Sequence, residues 1–518
     1  MKASSVRLVV FAGVLGWASG AVIARGQDYP APPPAPAPGG AAGDAGAPGM
    51  DVLTRGPIHE AFAQPVNTGS VQPLVVVQQP PNPIEEVPPD AKPDDPRAIW
   101  VGGYWSWADD RKDFLWVSGV WRVPPPRTQW VAGYWGQVAG GYQWTAGFWS
   151  PEAQQQVTYY PAPPASQEAG PTSALPGPNY FWISGSWEWR GDRYLWRPGY
   201  WHPAREGWVW VPDSYYWCPA GWVYCPGYWD YPLAGRGVMF APVAFAPGYY
   251  RRPGFVYSPS VVIQSGAATF SVSLFVRPSY CHYYFGDYYA VEYDRMGIYP
   301  WIGVGRTRVY AYDPLFTYYG CYYRERDPRW AANIEGWHTY YRGHPEERPP
   351  HDMAAQLRLE ARGGGHGFLT VGVSLDVMRR DPHSTVKFVA VSPGERARLH
   401  ETVRTSREAQ GERFRMERGA GGGPAGPMGP RQLAVPRAPL AVPSGHAAEH
   451  AVGHGAGPVA PPSPHTESKI VPHAESKVVP HAEAKIVPHA ESKFVPPSKS
   501  GPAKPEPKRG DRDRDRDR

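Results

Sequence analysis

A chain of 518 residues with 58 Gly and 64 Pro gives roughly a quarter of its length to the two residues that interrupt regular structure, near the level that marks low complexity. Aromatic residues nevertheless reach 14%, including 23 Trp, and disordered chains are poor in aromatics, so uniform disorder is excluded and the chain is a mosaic. The formal charge of +5 falls to +2 once Lys2, Arg7 and Arg25 are removed with a leader, too little net field for gathering nucleic acid or anionic lipid.

Residues 1–26 read as a secretory signal. Lys2 and Arg7 precede an apolar stretch, and Ser19, Ala21, Ala24 and Gly26 supply the small residues for cleavage after Ala21 or Gly26. The uncharged run 8–24 is short for a membrane span of ~20 residues and is diluted by Gly13, Gly16, Ser19 and Gly20, so cleavage is preferred over a retained anchor. No later run is long and apolar enough to cross a bilayer as a helix. The sequence thus predicts export, to the periplasm, the cell envelope or the exterior. Residues 27–99 are dominated by Pro, Ala, Gly and Val, and predict an extended, disordered tether of polyproline character, with residues 71–78 as a candidate edge strand.

From Trp100 a repeat emerges on counting. Trp100-Val-Gly-Gly103-Tyr-Trp105, Trp116-Val-Ser-Gly119-Val-Trp121, Trp130-Val-Ala-Gly133-Tyr-Trp135 and Trp144-Thr-Ala-Gly147-Phe-Trp149 fill residues 100–149. A Pro, Gln and Ala-rich break, 150–179, separates them from Trp182-Ile-Ser-Gly185-Ser-Trp187 and Trp196-Arg-Pro-Gly199-Tyr-Trp201. Two degenerate copies complete residues 180–232: Trp210-Val-Pro-Asp213-Ser-Tyr215 and Tyr224-Cys-Pro-Gly227-Tyr-Trp229. Starts at 116, 130 and 144, then at 182, 196, 210 and 224, keep one spacing that chance does not supply. Aromatic and β-branched residues between turn signals (Gly140-Gly141, Arg190-Gly191-Asp192) predict one strand and one turn per unit, a mainly β repeat built as an antiparallel meander or elongated sheet with Trp ladders. The two tryptophans of a unit are five positions apart, an odd spacing that a bulge or kink at the intervening Gly would correct.

With this motif the chain resembles the bacterial W-x-x-G-x-W repeat proteins, a family of exported proteins. The resemblance covers Trp100 to Trp229 and implies export and repeat structure; it supplies no catalytic residues. Asp213, Tyr215 and Tyr224 depart from the pattern.

Residues 233–326 continue as a Tyr-rich β region in which residues 269–276 alternate best. A smaller part with both helices and strands follows over 327–418. Asp327-Pro328 opens a helix with Trp330, Ile334 and Trp337 on one stripe, and a short helix covers 352–362. A strand pair is expected between 368–373 and 385–391. Ser392-Pro-Gly-Glu395 has capping-box spacing and starts a charged helix to Arg418, whose thin stripe of Leu399, Val403 and Phe414 predicts little burial. Residues 419–518 read as a disordered tail with a fourfold octapeptide of the form Pro-His-Ala-Glu-Ser-Lys-x-Val.

Catalytic signatures are absent: the sequence contains no nucleophile elbow, phosphate-cradling loop, metalloprotease helix or Cys-x-x-Cys, so a non-enzymatic protein without a cofactor is expected. Gly363-Gly-Gly-His-Gly367 reads as a plain loop. His338 and His344 near Glu346 and Glu347 read as surface histidines before metal ligands, and His465, His473, His481 and His489 of the tail as parts of a duplicated linker before a loose metal site. Four cysteines in an exported chain favour disulfides, and Cys218 with Cys225 and Cys281 with Cys321 is the most local connectivity. Nineteen of the 23 tryptophans lie between 100 and 229. They serve either as core, or as an outward stacking surface for an envelope polysaccharide such as peptidoglycan or exopolysaccharide; docking of other envelope proteins and self-association are further uses of such a surface.

Overall fold

The computed structural model describes residues 48–66, 73, 75–154, 156–266, 268–302, 312–362, 370–420 and 429–435. The leader, residues 27–47, the glycine loop at 363 and the octapeptide tail with its four histidines lie outside them. The chain divides into a unit ending at Ala447, described here, and a second from Ala448 outside the described residues.

The fold is mainly antiparallel β, built from many short strands, with helices gathered late in the chain: Pro314–Tyr323, Trp330–Gly343, Met353–Ala361 and Pro393–Ala420 are the longest. Every strand pair described is antiparallel. The repeat units do not each make one strand. They combine two by two into four hairpins, over residues 99–122, 128–151, 180–203 and 209–230, each interrupted midway at its two central glycine positions. The interruption lets one hairpin serve two sheets. The inner half of the first joins a four-stranded sheet with Met50–Val52 and Val243–Phe245, whereas the outer half joins a five-stranded sheet with Gly237–Phe240, Val261–Ile263 and Gly372–Ser374. The main core fills the space between these sheets and the helices, centred on Phe275, Tyr283, Phe285 and Trp301, all fully buried.

Several expectations are corrected. Within 27–99, the described residues are not a tether: Ile58, Phe62 and Ile84 are buried, Met50–Val52 and Ala91–Pro93 pair as strands, and Val75–Val76 adds to Gly141–Thr145 as the edge strand residues 71–78 had suggested. Proline frequency removed ladder donors there but not apolar side chains, and the segment packs through those. Residues 268–273 turn as a 3₁₀ segment, so the strand begins at Leu274. Gly372–Ser374 pairs with Val261–Ile263 and Phe388–Ala390 with Ala91–Pro93, not with each other. Past residue 419, Arg431–Leu433 still pairs with Val157–Tyr160.

The disulfides are not formed; all four thiols are free. Cys218 lies opposite Gly221, and Cys225 opposite Ser214. Antiparallel register therefore puts the two at opposite ends of one ladder, about 14 Å apart at ~3.4 Å per residue, beyond the reach of an S–S bond.

The charged helix Pro393–Ala420, opened by Ser392 Oγ accepting from Glu395 N at 3.2 Å, is also better docked than its apolar stripe suggested. Leu399 and Val403 are buried, and so are Arg413 and Glu417. Arg413 Nε donates to Glu417 Oε1 at 2.6 Å and its Nη1 to Ala132 O at 2.8 Å, while Tyr134 and Tyr159 give their hydroxyls to the same carboxylate. A buried ion pair thus replaces missing aliphatic area.

Candidate functional site

The site is the repeat itself. Antiparallel register sets the tryptophans of paired units opposite one another: Trp100 faces Trp121, Trp105 faces Trp116, Trp130 faces Trp149, and Trp135 faces Trp144. The pattern continues with Trp182 and Trp201, Trp187 and Trp196, and Trp210 and Trp229. In all seven pairs the ring centroids lie 5.1–5.6 Å apart and the planes cross at 57–80°, the tilted and edge-to-face geometry that a ring quadrupole favours.

The motif's glycine has a steric cause. The ring of the first Trp of one unit packs against the Gly of its partner, so that a Cβ at Gly119 would meet the Trp100 ring at 2.5 Å, and one at Gly199 the Trp182 ring at 2.6 Å. The degenerate copies obey the same rule: Gly227 is kept beneath Trp210, whereas Asp213 is admitted where its partner is Tyr224.

At the waist of three hairpins, a glutamate from a Pro-rich segment is held by these glycines. Glu86 accepts from Gly103 N at 2.6 Å, Gly119 N at 2.9 Å and Trp116 Nε1 at 3.1 Å. Glu60 accepts from Gly147 N and Trp144 Nε1, both at 3.1 Å, and from Gly133 N. Glu168 accepts from Gly185 N, from Trp182 Nε1 at 3.1 Å and from Gly170 N of its own turn at 2.7 Å. The outer indoles then fasten the segment on either side. Trp105 and Trp121 donate to Asn82 O and Ala91 O around Glu86, and Trp187 and Trp201 to Ala165 O and Ser173 O around Glu168. In both hairpins a strap crosses the Trp pairs, its carboxylate held by Gly103 and Gly119 in the first and by Gly185 in the third. Among the described residues the fourth hairpin has no such strap, and its Trp210 Nε1 is buried without a partner.

Burial sets the electrostatics. It raises the Glu60 carboxyl to about 7 and that of Glu86 above the usual range, against the pull of the N–H donors and the more distant guanidiniums of Arg413 and Arg407. Burial pushes the imidazoles of His59 and His282 beside them down to about 3 and about 4, so both are neutral.

The repeat aromatics divide into two classes. Trp100, Trp105, Trp116, Trp121, Trp130, Trp144 and Trp149 are buried and Trp135 is half-buried, so the first four copies are mainly core. Trp182, Trp187, Trp196, Trp201 and Trp229 are half-buried, and the third hairpin adds exposed Leu195 and Tyr200.

Cys218, Cys225 and Cys281 belong to the buried cluster behind the second hairpin, and Cys321 lies against Pro178 O. His338 is buried between Phe275 and Tyr289, and His344 caps its own helix at Tyr340 O, so the two do not share a site. Among the described residues no three His, Cys, Asp or Glu side chains converge on a metal position. The strap glutamates went unread in the sequence, although a signal was there: Glu86 precedes Trp100, and Glu168 precedes Trp182, by the same interval within Pro-rich chain. No family model matches the chain, and neither a curated protein nor a solved structure matches it.

Proposed function

We propose that this chain is an exported, non-enzymatic structural or interaction protein of the bacterial cell envelope, in which paired W-x-x-G-x-W units receive glutamate-bearing, Pro-rich segments. The observation that carries this reading is the strapped carboxylate, repeated on three hairpins with the same donor types. Export is inferred from the signal-like leader. Absence of catalysis is inferred from the sequence, which offers no recognisable catalytic motif. No helix among the described residues is long and apolar enough to cross a membrane.

A second reading, an envelope-polysaccharide binding module, is favoured at one place, the half-exposed tryptophans of residues 180–203. Pull-down on purified wall polysaccharide separates the two. Trp149→Ala should damage the fold, as expected of a buried ring, whereas Trp201→Ala, at a half-buried ring, should leave the cooperative thermal unfolding transition in place with only a small drop in its midpoint. Loss of polysaccharide binding in Trp201→Ala supports the module, and no binding by the parent protein leaves the structural reading. Fractionation of cells producing the full chain tests export; retention in the cytoplasm refutes it.

A further inference from the structure

Between the first two hairpins and helix Pro393–Ala420 lies a cleft of about 400 Å³. Its floor is aromatic, formed by Trp105, Trp135, Tyr142 and Trp144. Its wall is one stripe of the helix: Arg407, Gln410, Gly411, Phe414 and Arg418 follow at three-, four- and seven-residue steps and so share a face. Gln79 and Asn82 close the opposite side, and Gln137 the mouth.

No Asp or Glu lines this cleft. Arg418 stacks on Phe414 at 5.8 Å and Arg407 over Trp116 at 5.9 Å. Neither makes an ion pair among the described residues; Glu86 and Glu85 act on Arg407 at longer range, its Nη2 is buried with no hydrogen-bond partner, and Arg418 has no such carboxylate in the cleft lining. The larger cleft across residues 78–83, of about 850 Å³, lacks this excess because Asp113 and Glu85 stand there against Arg251. A fitting ligand has an apolar face for the indoles, hydroxyls for the carboxamides and negative charge for the guanidiniums. The two arginines are about 16 Å apart along the helix axis at ~1.5 Å per residue, which suits charges spread along a chain rather than the clustered charge of a polyphosphate. No helix N-terminus is among the described residues that line the cleft to receive phosphate.

We propose that this cleft binds a stretch of an acidic glycan, one sugar ring stacked on Trp135 with its hydroxyls on Gln410 and Gln137, its carboxylate drawn to Arg418 and that of a following unit toward Arg407. The inference does not depend on the strap or on export, and it places recognition at a different surface from the half-exposed tryptophans of residues 180–203.

The test is calorimetric titration of the full chain with tetragalacturonate, with the N-acetylglucosamine–N-acetylmuramic acid disaccharide, with neutral cellotetraose and with a thymidine oligonucleotide. A uronate polymer carries its carboxylate at C6 of the sugar and muramic acid on a lactyl ether at O3; both join a carboxylate to a sugar ring, and the first two arms distinguish the two sources. Binding of at least one, about tenfold tighter than cellotetraose and the oligonucleotide and weakened about tenfold in Arg418→Ala with unchanged near-UV circular dichroism, is the expected result. Gln410→Ala should weaken it independently. No binding, equal binding of the neutral sugar or the oligonucleotide, or full affinity in Arg418→Ala overturns the proposal. Binding that survives Arg418→Ala and disappears in Trp201→Ala would overturn it in favour of the third hairpin's surface.

Discussion

At the scale of single residues, glycine, tryptophan and glutamate make one device. The ring excludes a Cβ beneath it, the bare backbone exposes its N–H, and the carboxylate gathers two such donors with an indole at Glu86 and Glu60, and one with an indole at Glu168. Glu86→Ala should therefore cost about 2–5 kcal/mol, since three buried donors lose their acceptor at once, whereas Glu168→Ala, at a half-exposed hairpin, should cost about 1 kcal/mol. Urea denaturation followed by tryptophan emission compares them, and equal small shifts would show that the straps hold by apolar contact alone. His338 behaves oppositely. Both its ring nitrogens are buried without partners, and burial, with the Arg342 charge, lowers it to about 3. A base with a depressed folded pKa contributes stability above its unfolded value near 6.5 and loses it as pH falls toward 3. His338→Leu should thus stabilise by about 1 kcal/mol at neutral pH, and its advantage should widen by about 1.4 kcal/mol per unit below pH 6.5. Parallel stability profiles of parent and variant would refute this. Glu60, raised to about 7, has the contrary sign: its share is present below about 4.5 and is lost as pH rises through about 7.

At the scale of elements, the sequence showed the repeat period, the turns and the aromatic strands because all three are local. Pairing of units two by two was also within reach, since an odd Trp spacing with a central Gly requires a break in the strand. Docking of the charged helix was not, because Arg413 and Glu417 look like an ordinary solvated pair until Tyr134, Tyr159 and Ala132 O arrive from distant chain. Breaking that pair from one side should be far worse than removing it. Arg413→Ala leaves Glu417 buried with two hydroxyls and no cation, an expected loss of about 3–5 kcal/mol, while Arg413→Met combined with Glu417→Leu should recover part of it, the Tyr134 and Tyr159 hydroxyls then lacking their acceptor. A double variant as unstable as the single one would mean that the network is worth more than an apolar contact of the same volume.

At the scale of the whole molecule, composition misled most where the chain was richest in proline. Residues such as Ile58, Phe62, Ile84 and Val87 carry too little periodicity to announce an element, yet each has a place set by a partner far along the chain: Ile58 N donates to Tyr283 O at 2.8 Å, and Val87 N to Tyr257 O at 2.9 Å. Long-range pairings of two or three residues leave no local pattern, which is why the sheets joining residues 50–101 to 237–263 and 372–390 were illegible while the hairpins were not. If the straps are integral, amide exchange must show it. The Val87 and Ile58 amides should exchange at rates close to those of core strand amides such as Phe275, whereas a tether would exchange them as fast as a free peptide. Glu86→Ala should then release Val87, whose strap loses its seat, and leave Ile58 protected, because Glu60 still anchors the neighbouring segment independently. Simultaneous release of both amides would instead mean that the straps and sheets open as one cooperative body, with no separable role for either carboxylate.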